Sequence, residues 1–321
     1  MTGTAVAGAI DRGQRFEGRA MASPISLTVV PPALDADPGA GTWAWDAVVD
    51  EFAACDVAMS RFRDDSEVTG LDRASLRGEA VTVGRRLRIA IATCDRAHRV
   101  TSGRFDPRVL AQLDGWGYRG ASLGRPASLA SAGAPERIVE RIGHTHLRLP
   151  HPVDLGGIGK GLAVRWAAAR VERAGITRFL LDAGGDLVAR GSAPDGGPWM
   201  VGIEDPAGGA APLAVMAVED GAVATSSIRR LRWRVDGRVR HHLVDPTTGE
   251  PAEGGLQAVT VAGPDPAWAE IWSKSLFIAG RARIGAEARA RGFAAWWVND
   301  DGALEMTPAA RVRTTWVAGE A

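Results

Sequence analysis

Apolar side chains recur at three- and four-residue intervals from Trp45 through Val48, Val49, Phe52, Cys55 and Met59 to Phe62. That spacing predicts an amphipathic helix over about 42–60. A second helix is expected over about 85–100. A third opens at the glycine-rich turn 154–161 and runs to about Arg173, ended by Gly175. A fourth covers Ala267 to Gly280. Elsewhere the period falls to two. Residues 25–30 read as a strand, and residues 178–191 as two strands joined by the turn Ala183-Gly184-Gly185-Asp186. Trp199–Ile203, Leu213–Val218 and Gln257–Val261 are further strands, and Phe293–Val298 pairs with Ala303–Met306 around Asp300-Asp301-Gly302. Leu231–Val235 and Arg238–Val244 flank Asp236-Gly237, the signal of a type I′ hairpin. Strand pairs interspersed with helices predict an α+β fold, a mixed or antiparallel sheet packed with helices. Residues 1–20 read as a loose leader and 21–321 as one domain, with a surface excursion over 119–136 where Gly, Ala, Ser and Pro carry no period.

Composition narrows the function classes. Apolar residues are 45% of 321, enough for a sizeable core, and 38 acids balance 38 bases. That balance argues against nucleic acid and against a polybasic membrane contact. Cys55 and Cys94 form no metal-spaced pair and read as buried thiols. No apolar run reaches the roughly 20 residues of a membrane span. The first ten residues have no basic region, and no lipobox cysteine follows, so a cytoplasmic location is expected.

Only two of the 38 basic residues are lysines, Lys160 and Lys274. Where arginine supplies nearly all positive charge, a retained lysine points to a need for a compact ammonium on a flexible stem. Lys160 ends Asp154-Leu-Gly-Gly-Ile-Gly-Lys, a turn with glycines and free amides at a helix start. It reads as a phosphate loop, or as a tight strand-to-helix turn with Lys160 in solvent. It is neither a P-loop nor a Rossmann fingerprint, because the glycine spacing differs. His242 and Asp245, three apart at a strand end, read as a base and its orienter, or as a turn that Asp245 caps. Taken alone, Gly103 to Pro107 is a loop with an exposed acid and an aromatic, and Ser60 to Glu67 is a helix end with a solvated charged face.

Jointly and in order, these segments resemble the ApbE-type FAD:protein FMN transferases. The likeness runs from Met21 to about Ala279 and includes Ser60-Arg-Phe with Asp65-Ser-Glu, Gly103-Arg-Phe-Asp-Pro and Trp116-Gly-Tyr. It continues through Asp154-Leu-Gly-Gly, Lys160-Gly, Gly184-Gly-Asp, Asp205-Pro, Ala224-Thr-Ser, His242–Pro246 with Gly249, and Leu276-Phe. The resemblance implies an FAD cleft and movement of FMN from FAD to a Thr or Ser hydroxyl of an acceptor protein, with release of AMP. By matching motifs, Met21, Phe62, Arg104, Phe105, Asp106, Asp154, Lys160 and Val244 would line the FAD site, and His242 would assist the nucleophile.

The resemblance also implies Mg²⁺, with the Gly157 carbonyl as one ligand. The family's late motif Ala-Asp-x-x-x-Thr supplies the others, and here it reads Ala269-Glu270-Ile-Trp-Ser273-Lys274. Two geometries follow. Lys274 points inward, paired with Glu270 at i and i+4, and takes the ion's place; or it points outward and Glu270 and Ser273 ligate beside Gly157. Smaller departures are Asp72 for an Asn, Arg165 for an Asp and Ser227 for a Gly. The retained pair His242 and Asp245 favours a transferase. The Glu270/Lys274 change favours an impaired FAD-binding carrier or sensor. An FAD pyrophosphatase is a third reading.

Overall fold

Nine antiparallel strands form the central sheet of the computed structural model. It describes residues 8–10 (backbone only), 13–31, 37–120, 123, 137–143, 145–229 and 231–320. In sheet order the strands are Gly8–Ile10, Gly13–Ala20, Ser23–Val29, Phe179–Ala183, Asp186–Arg190, Gly221–Ser227, Leu256–Gly263, Ala294–Asn299 and Leu304–Met306. Helices Ala40–Met59, Arg85–Val100 and Gly159–Arg173 cover one face, their core built from Leu27, Phe52, Leu87, Ile91, Leu162, Val164 and Leu181. On the other face lies a three-stranded sheet, Thr314–Val317, Ala214–Val218 and Trp199–Ile203, packed through Trp199, Ile203, Met216 and Trp296. Helix Pro266–Ala279 packs Leu276 and Phe277 against Val259, Val261 and Trp297. The expected α+β architecture is therefore present, with every pairing of the central sheet antiparallel.

The sequence pattern maps onto these elements with instructive departures. Helix Ala40–Met59 buries Trp45, Val48, Phe52, Cys55 and Met59 on one stripe, but it stops at Ser60. Phe62 therefore leaves the stripe and stands 53% exposed. The hairpin Arg232–Val235/Arg238–His241 turns through Asp236 and Gly237, both at positive φ, as a type I′ turn requires. The loose leader needs correction: Gly13–Ala20 is a strand, paired in full register with Ser23–Val29. Only Phe16 of that segment is buried, stacked on Trp45, so the segment shows no alternating apolar pattern. Its register comes instead from the two-residue turn Met21-Ala22, where both residues take positive φ. Residues 1–7, 11 and 12, and most of the 119–136 excursion, lie outside the described residues.

One contact positions the site. Helices Gly159–Arg173 and Pro266–Ala279 approach so closely that a Cβ on Gly161 would lie 2.7 Å from the Ala267 Cα and 2.8 Å from the Pro266 carbonyl oxygen. The glycine after Lys160 thus serves helix packing rather than a phosphate. The second helix starts where it does because Asp265 caps the Trp268 amide at 3.0 Å, with Pro266 in the first turn. Gly161→Ala must push backbone against backbone. Urea unfolding should show a loss of about 1–3 kcal/mol, the usual cost of overpacking.

Candidate active site

A cleft of about 1250 Å³ opens where the helical layer meets the sheet. Five segments distant in sequence line it: the Met21-Ala22 turn, Ser60–Arg63, Phe105–Pro107, the loop 154–160 and His242–Val244, with Thr225, Thr260 and Lys274 among its other lining residues. The sequence-derived site residues Met21, Phe62, Arg104, Phe105, Asp106, Asp154, Gly157, Lys160, His242 and Val244 all border it. They differ in what their side chains do there.

Four charged groups meet on one side. The Lys160 ammonium pairs with Asp186 and lies 3.9 Å from Glu270 Oε1. The Lys274 ammonium donates to the same Glu270 oxygen at 3.1 Å, and the Gly161 amide donates to Glu270 Oε2 at 2.9 Å. Both carboxylates are buried, with side chains 1% exposed. Burial opposes ionisation of Glu270, but Lys274, Lys160 and the Gly161 amide outweigh it, so its carboxyl titrates below the usual range. Burial likewise works against charge on Lys160, and Asp186 and Glu270 overcome it, raising that pKa. Burial dominates at Asp186, whose pKa is raised despite Lys160. From sequence, Lys160 reads as a phosphate ligand or as solvated; here its first partner is Asp186, an acid quoted among the motifs but given no role.

This set does not fit a divalent ion. Both Glu270 oxygens are engaged, one of them by an ammonium. Ser273, expected as a possible ligand, is fully buried away from the cleft, bonded to Ser226 Oγ at 2.7 Å and donating to the Glu270 carbonyl at 3.0 Å. Lys274 takes the inward geometry: a Cβ on Gly157 would meet its Cδ and Cε at 3.3 Å.

A second ionic knot borders the same cleft. Arg61, read from sequence as part of a solvated face, is 6% exposed. It donates to Asp154 at 2.8 Å, to Asp114 at 2.6 Å and to the Tyr118 carbonyl. Asp154 also accepts the Gly156 amide at 2.7 Å, so it shapes the glycine loop rather than presenting a free charge. Asp72 sits beneath, 2% exposed, accepting the Val153 amide at 3.2 Å. Burial, reinforced by Asp154, raises its pKa well above the carboxylate norm. In its protonated form, which burial favours, that carboxyl would do what an asparagine does.

Above the knot stand three rings. Phe62 meets Tyr118 edge-on at 5.5 Å, and Tyr118 stacks on Trp233 at 5.3 Å. The Trp233 indole donates to the Trp116 carbonyl at 2.7 Å, which fixes the end of the row. Trp233 escaped the sequence reading because Arg232-Trp-Arg-Val gives no hint of a site. Tyr118 is the single tyrosine of the chain, a signal that was available.

His242 lies in the floor, its Nδ1 3.4 Å from the Leu231 carbonyl oxygen. That contact holds the proton on Nδ1 and leaves Nε2 to accept. Burial, followed by the positive charge of Lys274, lowers its pKa to about 4. Asp245 is not its orienter. The Asp245 carboxylate accepts the Thr247 amide at 2.9 Å and caps the Pro-Thr-Thr-Gly turn, so its assignment as a catalytic residue is corrected. Arg104 and Asp106 act mainly on the scaffold. Arg104 clasps Ser275 and Glu287, and Asp106 binds Arg108 through backbone and side chain. Phe105 packs its ring against Gly157.

The ApbE family's sequence profile matches residues 21–297. The chain belongs to the ApbE family. This ApbE chain is 30% identical over 215 residues to the FAD:protein FMN transferase of Salmonella typhimurium, a match covering 63% of this chain and 61% of that protein. Against the Escherichia coli K12 protein of the same name it is 28% identical over 262 residues, covering 77% and 71%. The chain thus spans about three fifths to seven tenths of these relatives' lengths. Its fold matches the ApbE protein of Thermotoga maritima with a TM-score of 0.82 at 24% identity, over 94% of this chain and 99% of that one. The flavin transferase ApbE of Vibrio cholerae gives 0.77 at 22%, over 94% and 99%. Among the described residues no helix is long and apolar enough to cross a membrane.

Two titrations test this electrostatic picture. The His242 ring should titrate near 4 by NMR in the folded protein, against the ordinary 6.5. Because the unfolded chain takes up that proton first, its contribution to stability is present above 6.5 and lost as pH falls toward 4. A midpoint near 6.5 would show that His242 is solvated. Asp72 has the opposite sign: its raised pKa means folding loses stability as pH rises through that value. Asp72→Asn should therefore raise the unfolding free energy at pH 7, with the gain shrinking as pH falls. A loss at pH 7 would contradict a neutral Asp72.

Proposed function

We propose that this chain moves FMN from FAD to a Thr or Ser hydroxyl of an acceptor protein, releasing AMP. What supports the reading is the meeting, in one cleft, of the glycine loop 156–160, the rings of Phe62 and Tyr118, the latter backed by Trp233, and a histidine whose Nε2 is left to accept. The loop offers backbone amides and the first turn of a helix to a diphosphate. The ring row offers stacking faces for a flat heterocycle. His242 supplies an uncharged nitrogen acceptor that a hydroxyl could approach.

The reaction this arrangement suits is an in-line displacement. The acceptor oxygen bonds to the FMN phosphorus, the bond from that phosphorus to the bridging oxygen breaks, and AMP leaves with the bridging oxygen. The hydroxyl proton passes to His242 Nε2. A histidine with a pKa of about 4 is neutral at pH 7 and so always in the accepting form. It is a weak base, so positioning of the hydroxyl and neutralisation of charge would carry more of the catalysis than base strength. Lys160 and Lys274 meet the charge of the diphosphate, with Lys274 nearest His242. No step is routed through a divalent ion, since the donors present do not suit one. Those same donors favour a second reading, an FAD carrier with little turnover.

Incubation with FAD and a peptide bearing an acceptor Thr or Ser should attach FMN, read as a mass increase, with AMP released in equal amount. His242→Ala should slow the transfer by about 10²–10⁴-fold while FAD binding persists. FMN and AMP released with the peptide unmodified would instead support the pyrophosphatase. FAD bound with neither product would support the carrier.

A further inference from the structure

The only two lysines of the chain converge on one carboxylate. Lys160 comes from the first turn of helix Gly159–Arg173 and Lys274 from the third turn of helix Pro266–Ala279, yet their ammonium nitrogens lie 3.9 and 3.1 Å from the same Glu270 oxygen. All other basic residues are arginines. A guanidinium is flat and wide, whereas an ammonium is a compact point charge of roughly ionic shape. The Lys274 stem runs along Gly157, where even a Cβ would crowd its methylenes at 3.3 Å. Its side chain is 15% exposed, and it borders the cleft beside the glycine loop and His242. Of its three N–H groups one meets Glu270, its one hydrogen-bond partner among the described residues.

A divalent ion needs several hard oxygen ligands, and magnesium holds them at about 2.0–2.1 Å in near-octahedral geometry. Here each oxygen of the acid that would ligate it already accepts an N–H, the neighbouring hydroxyl of Ser273 is bonded to Ser226, and the Lys274 ammonium lies 3.1 Å from the acid. Resting on the FMN-transfer reading, we propose that the Lys274 ammonium occupies the place of the divalent cation, so that this chain holds the diphosphate of FAD with a built-in charge and no metal ion. Glu270 then changes role. It no longer shares a metal; it aims an ammonium. The Gly161 amide fixes the other end of the carboxylate, so the direction of that ammonium is set by the crossing of two helices.

Calorimetric titration of FAD into chelator-treated protein, with and without millimolar magnesium, tests this without any variant. The affinity should agree within about twofold between the two arms. FAD binding that requires magnesium, or one magnesium per chain retained through dialysis, would overturn the inference and leave the FMN-transfer reading standing. No FAD binding in either arm would overturn that reading, and this inference with it. Glu270→Asp combined with Lys274→Thr removes the ammonium and restores oxygen donors. In chelator its FAD affinity should fall about tenfold to a hundredfold, the range of a lost charge-assisted contact, and magnesium should restore it. A folded double variant whose FAD binding ignores magnesium would refute the placement of Lys274 at the ion's position.

Discussion

The cleft depends on one buried carboxylate, Glu270. An ionised acid with a side chain 1% exposed is unstable unless its oxygens are matched by donors, and Glu270 receives the Gly161 amide, Lys274 and the more distant Lys160. The amide donor reaches it only because Gly161 lets two helices touch backbone to backbone. Packing and electrostatics therefore support each other. The close helix crossing delivers an N–H to the acid, the acid holds the lysine, and the lysine stem fills the space beside Gly157. Loss of any one partner leaves a charge underground, which is why such a knot tends to hold a single geometry even where it adds little net stability.

Arg61 plays the matching part elsewhere in the cleft lining, with a different solution to burial. Asp154 and Asp114 share its guanidinium, and burial pushes Asp72, which accepts the Val153 amide, toward its neutral form. Burial and the Asp154 charge leave Asp72 protonated over a wider pH range, so three acids around one arginine need not all carry charge. The glycine loop is thus pinned at both ends. Asp154 holds the Gly156 amide on the Arg61 side, and Lys160 is drawn to Asp186 and Glu270 on the other. A loop fixed in this way needs little reorganisation when an anion arrives.

Most of the fold was legible because its signals are local. The stripe from Trp45 to Met59, the Asp236-Gly237 turn and the strands around Gly184-Gly185 all follow from spacing and turn chemistry. What was hidden is non-local. Gly13–Ala20 carries charged and polar residues and becomes a strand through the register imposed by Met21-Ala22. Helix Arg281–Ala290 buries only Ile284 and Ala288, too few to show a period. In the site, the segments were readable but the partners were not. Lys160 looked like a phosphate ligand because its contact with Asp186, 26 residues away, has no sequence signature. Asp245 looked like an orienter because spacing alone cannot separate a capped turn from a catalytic pair. Arg61 looked solvated because its three acceptors lie 53 to 93 residues downstream.

Replacing an ion by a tethered ammonium changes more than charge count. Before any ligand binds, Lys160, Lys274, Asp186 and Glu270 nearly cancel, whereas a divalent ion in place of Lys274 would leave one further positive charge. A diphosphate is then met by less net charge but by N–H donors already in position, with nothing to recruit from solution. Hydrogen bonds from a fixed ammonium act at a distance and along directions that the protein sets, while an ion brings its own hydration and its own geometry. Burial lowers the His242 pKa and the Lys274 ammonium adds to it, so the group proposed to hold the phosphate would also help keep the neighbouring histidine unprotonated. On the proposed reading, the two tasks of neutralising an anion and keeping an acceptor neutral would meet in a single side chain.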